Sequence, residues 1–185
     1  VIEPYLSIKA NPMTDALCYA AISTGLSTLR DLVENDTPEA WDRMAWVSTC
    51  GGLALANAGL GAVHGFAGVI GGETNAPHGA ICGALLPAVL ESHLRKAEKH
   101  TEVSARLHWV LHQIDAYFPQ GETGMGIPAL RSWSRKMGLP GLQGLGLSSA
   151  YYSKVAEAAS KASSMSGNPF ALSQHELLEI LHSAK

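Results

Sequence analysis

From Met44 to Gly72 the chain carries no charged residue, and eight positions in that stretch are glycine. An uncharged run of this length either crosses a bilayer or is packed inside protein. Ser48, Thr49, Asn57 and His64 interrupt it, and no basic cluster flanks one side as an orienting signal. Small residues let helices approach closely, so the stretch reads as the middle of a helical core, with no membrane contact expected. The rest of the 185-residue chain agrees: 46% of it is hydrophobic and only 16% charged, below the usual quarter. That shortage of charge predicts extensive buried surface, or a face that meets another domain or subunit, and makes a homodimer an expectation. A net charge of −3 argues against nucleic acid, which asks for a basic stripe.

Helix signals recur along the whole length. Asn11 precedes Pro12 and a run in which Leu17, Ala21, Leu29 and Leu32 fall near helical spacing. Thr37 and Pro38 open the next helix, with acids in its first turn. A short apolar helix is predicted from Ala62 to Ile70, ended by Gly71-Gly72, and another from Pro77, with Pro87 kinking it. Further helices are expected near Glu102–Tyr117, Ile127–Met137, Ser149–Met165 and Ser173–Ser183, the last with a Ser173/Glu176 capping box. "GLPGLQGLGLS" reads as a loop. No alternating strand pattern, repeat or low-complexity tract occurs. The expectation is one all-α domain over residues 1–185, a bundle of six to eight helices.

Two histidines, His64 and His78, lie within "GAVHGFAGVIGGETNAPHGA", where Glu73 is the neighbouring carboxylate in sequence. A helix, a Gly-Gly break and a short return bring two such rings together, and neutral imidazole is a common transition-metal ligand. Spacing alone leaves open the plainer possibility that each is a core histidine with a backbone partner. "HWVLH" puts His108 and His112 one turn apart on a helix. It lacks the glutamate of a zinc-protease motif, so a solvated face is expected. His93 and His100, in "ESHLRKAEKH", are expected to be exposed. His175 and His182 belong to the last helix, and His182 suits its C-terminal dipole. Cys18, Cys50 and Cys82 read as reduced, buried thiols of a cytosolic protein, and none has an evident histidine partner. "GLPGLQGLG" and "GETGMG" lack the preceding strand that a dinucleotide turn needs, and there is no GxSxG elbow.

"NAGLGAVHGFAGVIGGETNAPHGAICGALLPAVLE" resembles the signature of the iron-containing, group III alcohol dehydrogenases. The matching parts are the "NAGLG-VH" approach, the histidine fourteen positions later in "PHG", and the "LLP-VLE" helix. "ANPMTDAL" resembles the family's "NP-TDALA" helix, and "GNPFALSQHELLEIL" its closing segment, so the likeness covers nearly the whole chain. "TDALCY" mimics a ligand motif of the family with Tyr19 in the place of a histidine. "NPMTDAL" fits the following helix better, which makes Asp15 an ordinary first-turn acid.

The resemblance implies a C-terminal, all-helical metal-binding domain of the dehydroquinate synthase-like kind. In the family it follows an N-terminal α/β domain that binds NAD(P), and it holds Fe2+, sometimes Zn2+, on one aspartate and three histidines. His64 and His78 match the last two ligands. The other two come from a "DA--H" motif just ahead of "A-IE-Y", and this chain begins "VIEPY". The resemblance therefore implies that the dinucleotide domain and two ligands lie outside this sequence. It also implies that the sequence alone is inactive and binds metal weakly, and it assigns no catalytic or dinucleotide-binding residue here. The implied reaction is oxidation of an alcohol, or reduction of an aldehyde or ketone, by hydride transfer to or from nicotinamide in a cytoplasmic enzyme. Many members carry another histidine four positions after the first of these ligands, where this chain has Gly68. Maleylacetate reductase and the glycerol dehydrogenase branch are rival readings within the fold. A non-catalytic helical interaction domain is the rival outside it.

Overall fold

A computed structural model describes residues 1–97, 101–118 and 126–185. Among these the secondary structure is helical throughout, and nine α-helices appear, against the six to eight expected. The additional one is α1 (Ile2–Leu6), too short to show a 3.6-residue period in sequence. α2 (Pro12–Asn35) begins where its capping signals place it. The Asn11 side chain accepts from the Met13 and Thr14 N–H groups, and the Thr14 hydroxyl accepts from the Asn11 N–H. It ends at Asp36, which takes a left-handed conformation with φ 52°. Thr37 at once caps α3 (Pro38–Ala58) by accepting from the Ala40 N–H, so α2 and α3 form a tightly connected helical hairpin.

α3 stops at Gly59, whose φ of 70° lies outside the usual range of L-residues, and α4 (Ala62–Glu73) leaves at 101° to it. The uncharged stretch is thus folded as a bent pair. No single helix among the described residues is long and apolar enough to cross a membrane. α4 does not stop at Ile70 as expected but runs through Gly71-Gly72 to Glu73, where the Thr74 N–H and hydroxyl both donate to the Ile70 carbonyl. Two glycines cost a helix about 1 kcal/mol each, and the packing of buried Phe66 and Ile70 outweighs that locally. α5 (His78–Lys96) passes through Pro87 without a break, and α6 (Glu102–Tyr117) and α7 (Ile127–Lys136) follow. The helix expected over Ser149–Met165 is divided: α8 (Tyr152–Ser160) is flanked by short 3-10 turns at Ser149–Tyr151 and Ser163–Gly167. The chain turns extended at Ala162 (ψ 140°), which brings Met165 beneath Gly65 of α4. α9 (Gln174–Ser183) carries the expected Ser173/Glu176 capping box.

Two large apolar cores result, beside a small cluster of Ala21, Val47 and Cys50 between α2 and α3. One joins α4, α5, α8 and α9 through residues such as Phe66, Ile81, Leu85, Val155 and Leu177. The other joins α1, α2, α6 and α7 through Leu6, Ile22, Leu107 and Ile114. α5 spans both, contributing Leu85 to the first and Leu90 to the second. Each such side chain, fully buried, contributes roughly 1.5–3 kcal/mol. Asp15 is more than a first-turn acid. Its two oxygens take both Nη atoms of Arg106, at 2.5 and 2.7 Å, and so tie α2 to α6.

Candidate metal centre

The N-terminus of α4 is where three distant segments meet. Its first N–H groups need acceptors from outside the helix, and Gly61 has no side chain to provide one. Asn168 Oδ1 accepts from the Ala62 N–H at 2.9 Å, and Glu3 Oε1 accepts from the Val63 N–H at 2.7 Å. A Cβ at Gly61 would lie 2.7 Å from that Asn168 oxygen and 3.0 Å from Glu3 Oε1, and one at Gly167 would lie 2.2 Å from the Leu60 carbonyl oxygen. Both glycines are therefore required by close approach. "VIEPY", "LGAVH" and "GNP" prove to be parts of one cap.

The second oxygen of Glu3 reaches further, to His64 Nδ1 at 2.5 Å. One carboxylate thus caps α4 and fixes the ring of a residue in that helix's first turn. A carboxylate on one imidazole nitrogen sets the tautomer and leaves the other nitrogen for a ligand. Nε2 of His64 points toward α5, where the return through "TNAP" places His78 at the first helical position. The two rings lie 5.4 Å apart between centroids. Cys82, one turn after His78, completes the group: its Sγ is 3.5 Å from His78 Nε2 and 3.9 Å from His64 Nε2. The ligand atoms of His64, His78 and Cys82 all lie within 4.8 Å of one another, the group of three or more such donors that converges among the described residues. Its donors suit a divalent transition ion: two imidazoles, a thiol, and an outer carboxylate already in place. The contact with Cys82 and then the Glu3 carboxylate raise the His64 pKa from 6.5 to about 9. Beside these residues opens an apolar groove of about 260 Å³ walled by Ile2, Pro4, Leu60, Val63 and Leu86.

Two expectations are corrected here. The carboxylate that matters to His64 is Glu3, not Glu73, which pairs instead with Lys154 at 2.7 Å. Cys82 is not a buried thiol without a histidine partner. Cys18 and Cys50 are buried, whereas Cys82 is half-exposed beside two imidazoles. Sequence carried one usable signal for it, the four-residue spacing from His78 that puts both on one helix face. None linked Glu3 to His64, sixty-one positions away.

The other histidines stay apart. His93 is buried, not exposed: it is 2% accessible, packs on Phe170 with centroids 5.5 Å apart, and burial lowers its pKa to about 4. Its segment is charged, but His93 sits on the α5 face that turns inward with Val89 and Leu90. His100 lies outside the described residues. His108 and His112 are exposed on α6 as expected, with His108 Nδ1 donating to the Ser104 carbonyl at 2.7 Å. His175 and His182 are exposed on α9. Gly68 stands one turn after His64, and a Cβ there would meet nothing within 4 Å.

Fold and site define an all-helical domain that converges two imidazoles and a thiol at the mouth of an apolar groove. Residues 1–185 match the family model described as Fe-containing alcohol dehydrogenase family, C-terminal, and the chain belongs to that family. It is 32% identical over 186 residues to 1,3-propanediol dehydrogenase of Citrobacter freundii, and 30% identical over 185 to lactaldehyde reductase of Escherichia coli. Each match covers 99% of this chain and 47% of the relative. Among solved structures, alcohol dehydrogenase from Oenococcus oeni superposes with a TM-score of 0.80 at 28% identity, covering 100% of this chain and 48% of that one. Maleylacetate reductase from Agrobacterium tumefaciens shares the fold, with a TM-score of 0.75 at 17% identity over 98% of this chain and 48% of its own. The chain spans about half the length of the curated relatives it matches.

Proposed function

We propose that this chain is the metal-holding half of a cytoplasmic NAD(P)-dependent dehydrogenase acting on a small alcohol, or in reverse on its aldehyde or ketone. His64 and His78 are its metal ligands, and an N-terminal dinucleotide domain is its partner. The observation that carries this is the convergence of the two rings while Glu3 locks the outward nitrogen of His64. A divalent ion bound there, iron or zinc, supplies Lewis-acid polarisation of the substrate's oxygen.

This chain's own residues do the rest. His64 and His78 hold position, and Glu3 keeps Nε2 of His64 facing inward. The apolar walls of the groove accept a short carbon chain and limit water around it. No lysine or arginine is among the described residues that line this groove. That favours a neutral alcohol over a dicarboxylate such as maleylacetate. The neighbouring names agree: two of the relatives are named for propanediol and lactaldehyde. The test is metal content together with NAD(P)-linked alcohol oxidation in the full-length protein, wild type against His64→Ala and His78→Ala. We expect both variants to lose metal and activity together. Wild-type turnover at saturating metal in either variant overturns the proposal.

A further inference from the structure

We propose that Cys82 is itself a metal ligand, so that this chain presents a three-donor site of two imidazoles and one thiolate. The inference rests on the metal-centre reading above and adds a donor to it. Cys82 stands outside the aspartate and three histidines that the resemblance implies.

Three observations carry it. The first is distance. In a tetrahedral site with metal–nitrogen bonds of about 2.0–2.1 Å and a metal–sulfur bond of about 2.3 Å, neighbouring N and S atoms lie about 3.6 Å apart. Cys82 Sγ lies 3.5 and 3.9 Å from the two Nε2 atoms, close to both edges of that figure. The second is direction. His78 and Cys82 are one turn apart on α5, so the helix itself holds the pair, and only the His64 ring is supplied from elsewhere. The third is access. Cys82 is half-exposed and lines the groove beside His64, whereas Cys18 and Cys50 are buried in separate apolar clusters. On binding, the thiol proton leaves to solvent and a sulfur lone pair forms the metal–sulfur bond, with no redox change. A soft donor shifts preference toward zinc and cobalt and away from hard, oxygen-seeking ions such as Mg2+.

The experiment titrates the full-length protein, stripped of metal, with Co2+ alone, read by absorption, with zinc competition for affinity. Wild type should show a thiolate-to-cobalt charge-transfer band in the near ultraviolet beside the visible bands of a low-symmetry site. Cys82→Ser and Cys82→Ala should lose the ultraviolet band and weaken binding by about 100-fold or more, since even outer partners of a ligand are worth about 10–100-fold. Cys18→Ser is the control and should keep the band. Helical circular dichroism separates misfolding from ligand loss, and two substitutions at one half-buried position guard against failure of either. Visible bands without the charge-transfer band, or a band that survives in both Cys82 variants, overturn the role of Cys82 while leaving the histidine site standing. Absence of any cobalt spectrum in the wild type overturns both.

Discussion

Two histidine pairs in this protein look different in sequence and change places in space. His108 and His112 sit four apart on α6, the spacing a metal motif would use, yet both face solvent and His108 donates to the Ser104 carbonyl of its own helix. His64 and His78 are fourteen apart, on separate helices, yet their rings lie 5.4 Å from each other. The difference lies in what surrounds them. Among the described residues no third donor converges on the α6 pair, whereas the α4–α5 return gives the other pair Cys82 and an orienting carboxylate from α1. A ligand pair needs surrounding groups that aim it, and proximity along one helix does not provide them.

That contrast can be broken in several ways. Replacing His64 or His78 by alanine should weaken Co2+ or Zn2+ binding by more than about 100-fold. A His108→Ala/His112→Ala double variant should bind as wild type in the same calorimetric titration. Comparable losses in the two would erase the distinction.

A third, buried histidine sharpens the contrast through pH. His93 is held neutral with a pKa of about 4 against an unfolded value near 6.5. A depressed value means that folding favours the unprotonated form. The stabilisation is therefore complete above about pH 6.5 and is lost as pH falls toward 4, by at most about 3 kcal/mol. In the lower part of that window the raised His64 contributes no slope, because it is protonated in both states once pH is well below 6.5. His93→Gln should flatten the acid limb of a urea-midpoint curve between pH 6.5 and pH 4. An unchanged limb would mean that burial of His93 does not govern it.

Glu3→Gln tests the orienting carboxylate. It retains an oxygen for the Val63 N–H and loses the charge opposite His64. We expect metal affinity to fall about 10–100-fold with little change in thermal midpoint. Gly61→Ala tests the cap without touching a ligand. The added Cβ would sit 2.7 Å from Asn168 Oδ1 and should cost roughly 1–3 kcal/mol in chemical denaturation. A neutral result would show that the cap can shift to make room.

Much of the helical layout is local and was legible. Asn11, Thr37 and Ser173 cap the helices they precede, because each satisfies N–H groups two or three residues away. The same locality explains the failures. Gly71-Gly72 suggested a stop, but helix propensity is weak beside the burial of Phe66 and Ile70. His93 suggested exposure from its charged neighbours, but a helix shows its faces by rotation, not by composition. The likeness to a known signature singled out His64 and His78, whose rings the fold brings to 5.4 Å, and nothing local paired His64 with a carboxylate.

By itself, the sequence determined an all-α chain, the start of most helices, and two histidines worth pairing, since all of these depend on spacing and on neighbours within a few residues. The tertiary structure alone decided that Glu3 caps α4 and aims His64, that Asn168 and Gly167 complete that cap, and that Cys82 meets both rings. Those contacts join residues up to 106 positions apart, and only the packing of α1 and the "GNP" turn against the N-terminus of α4 brings them within bonding distance.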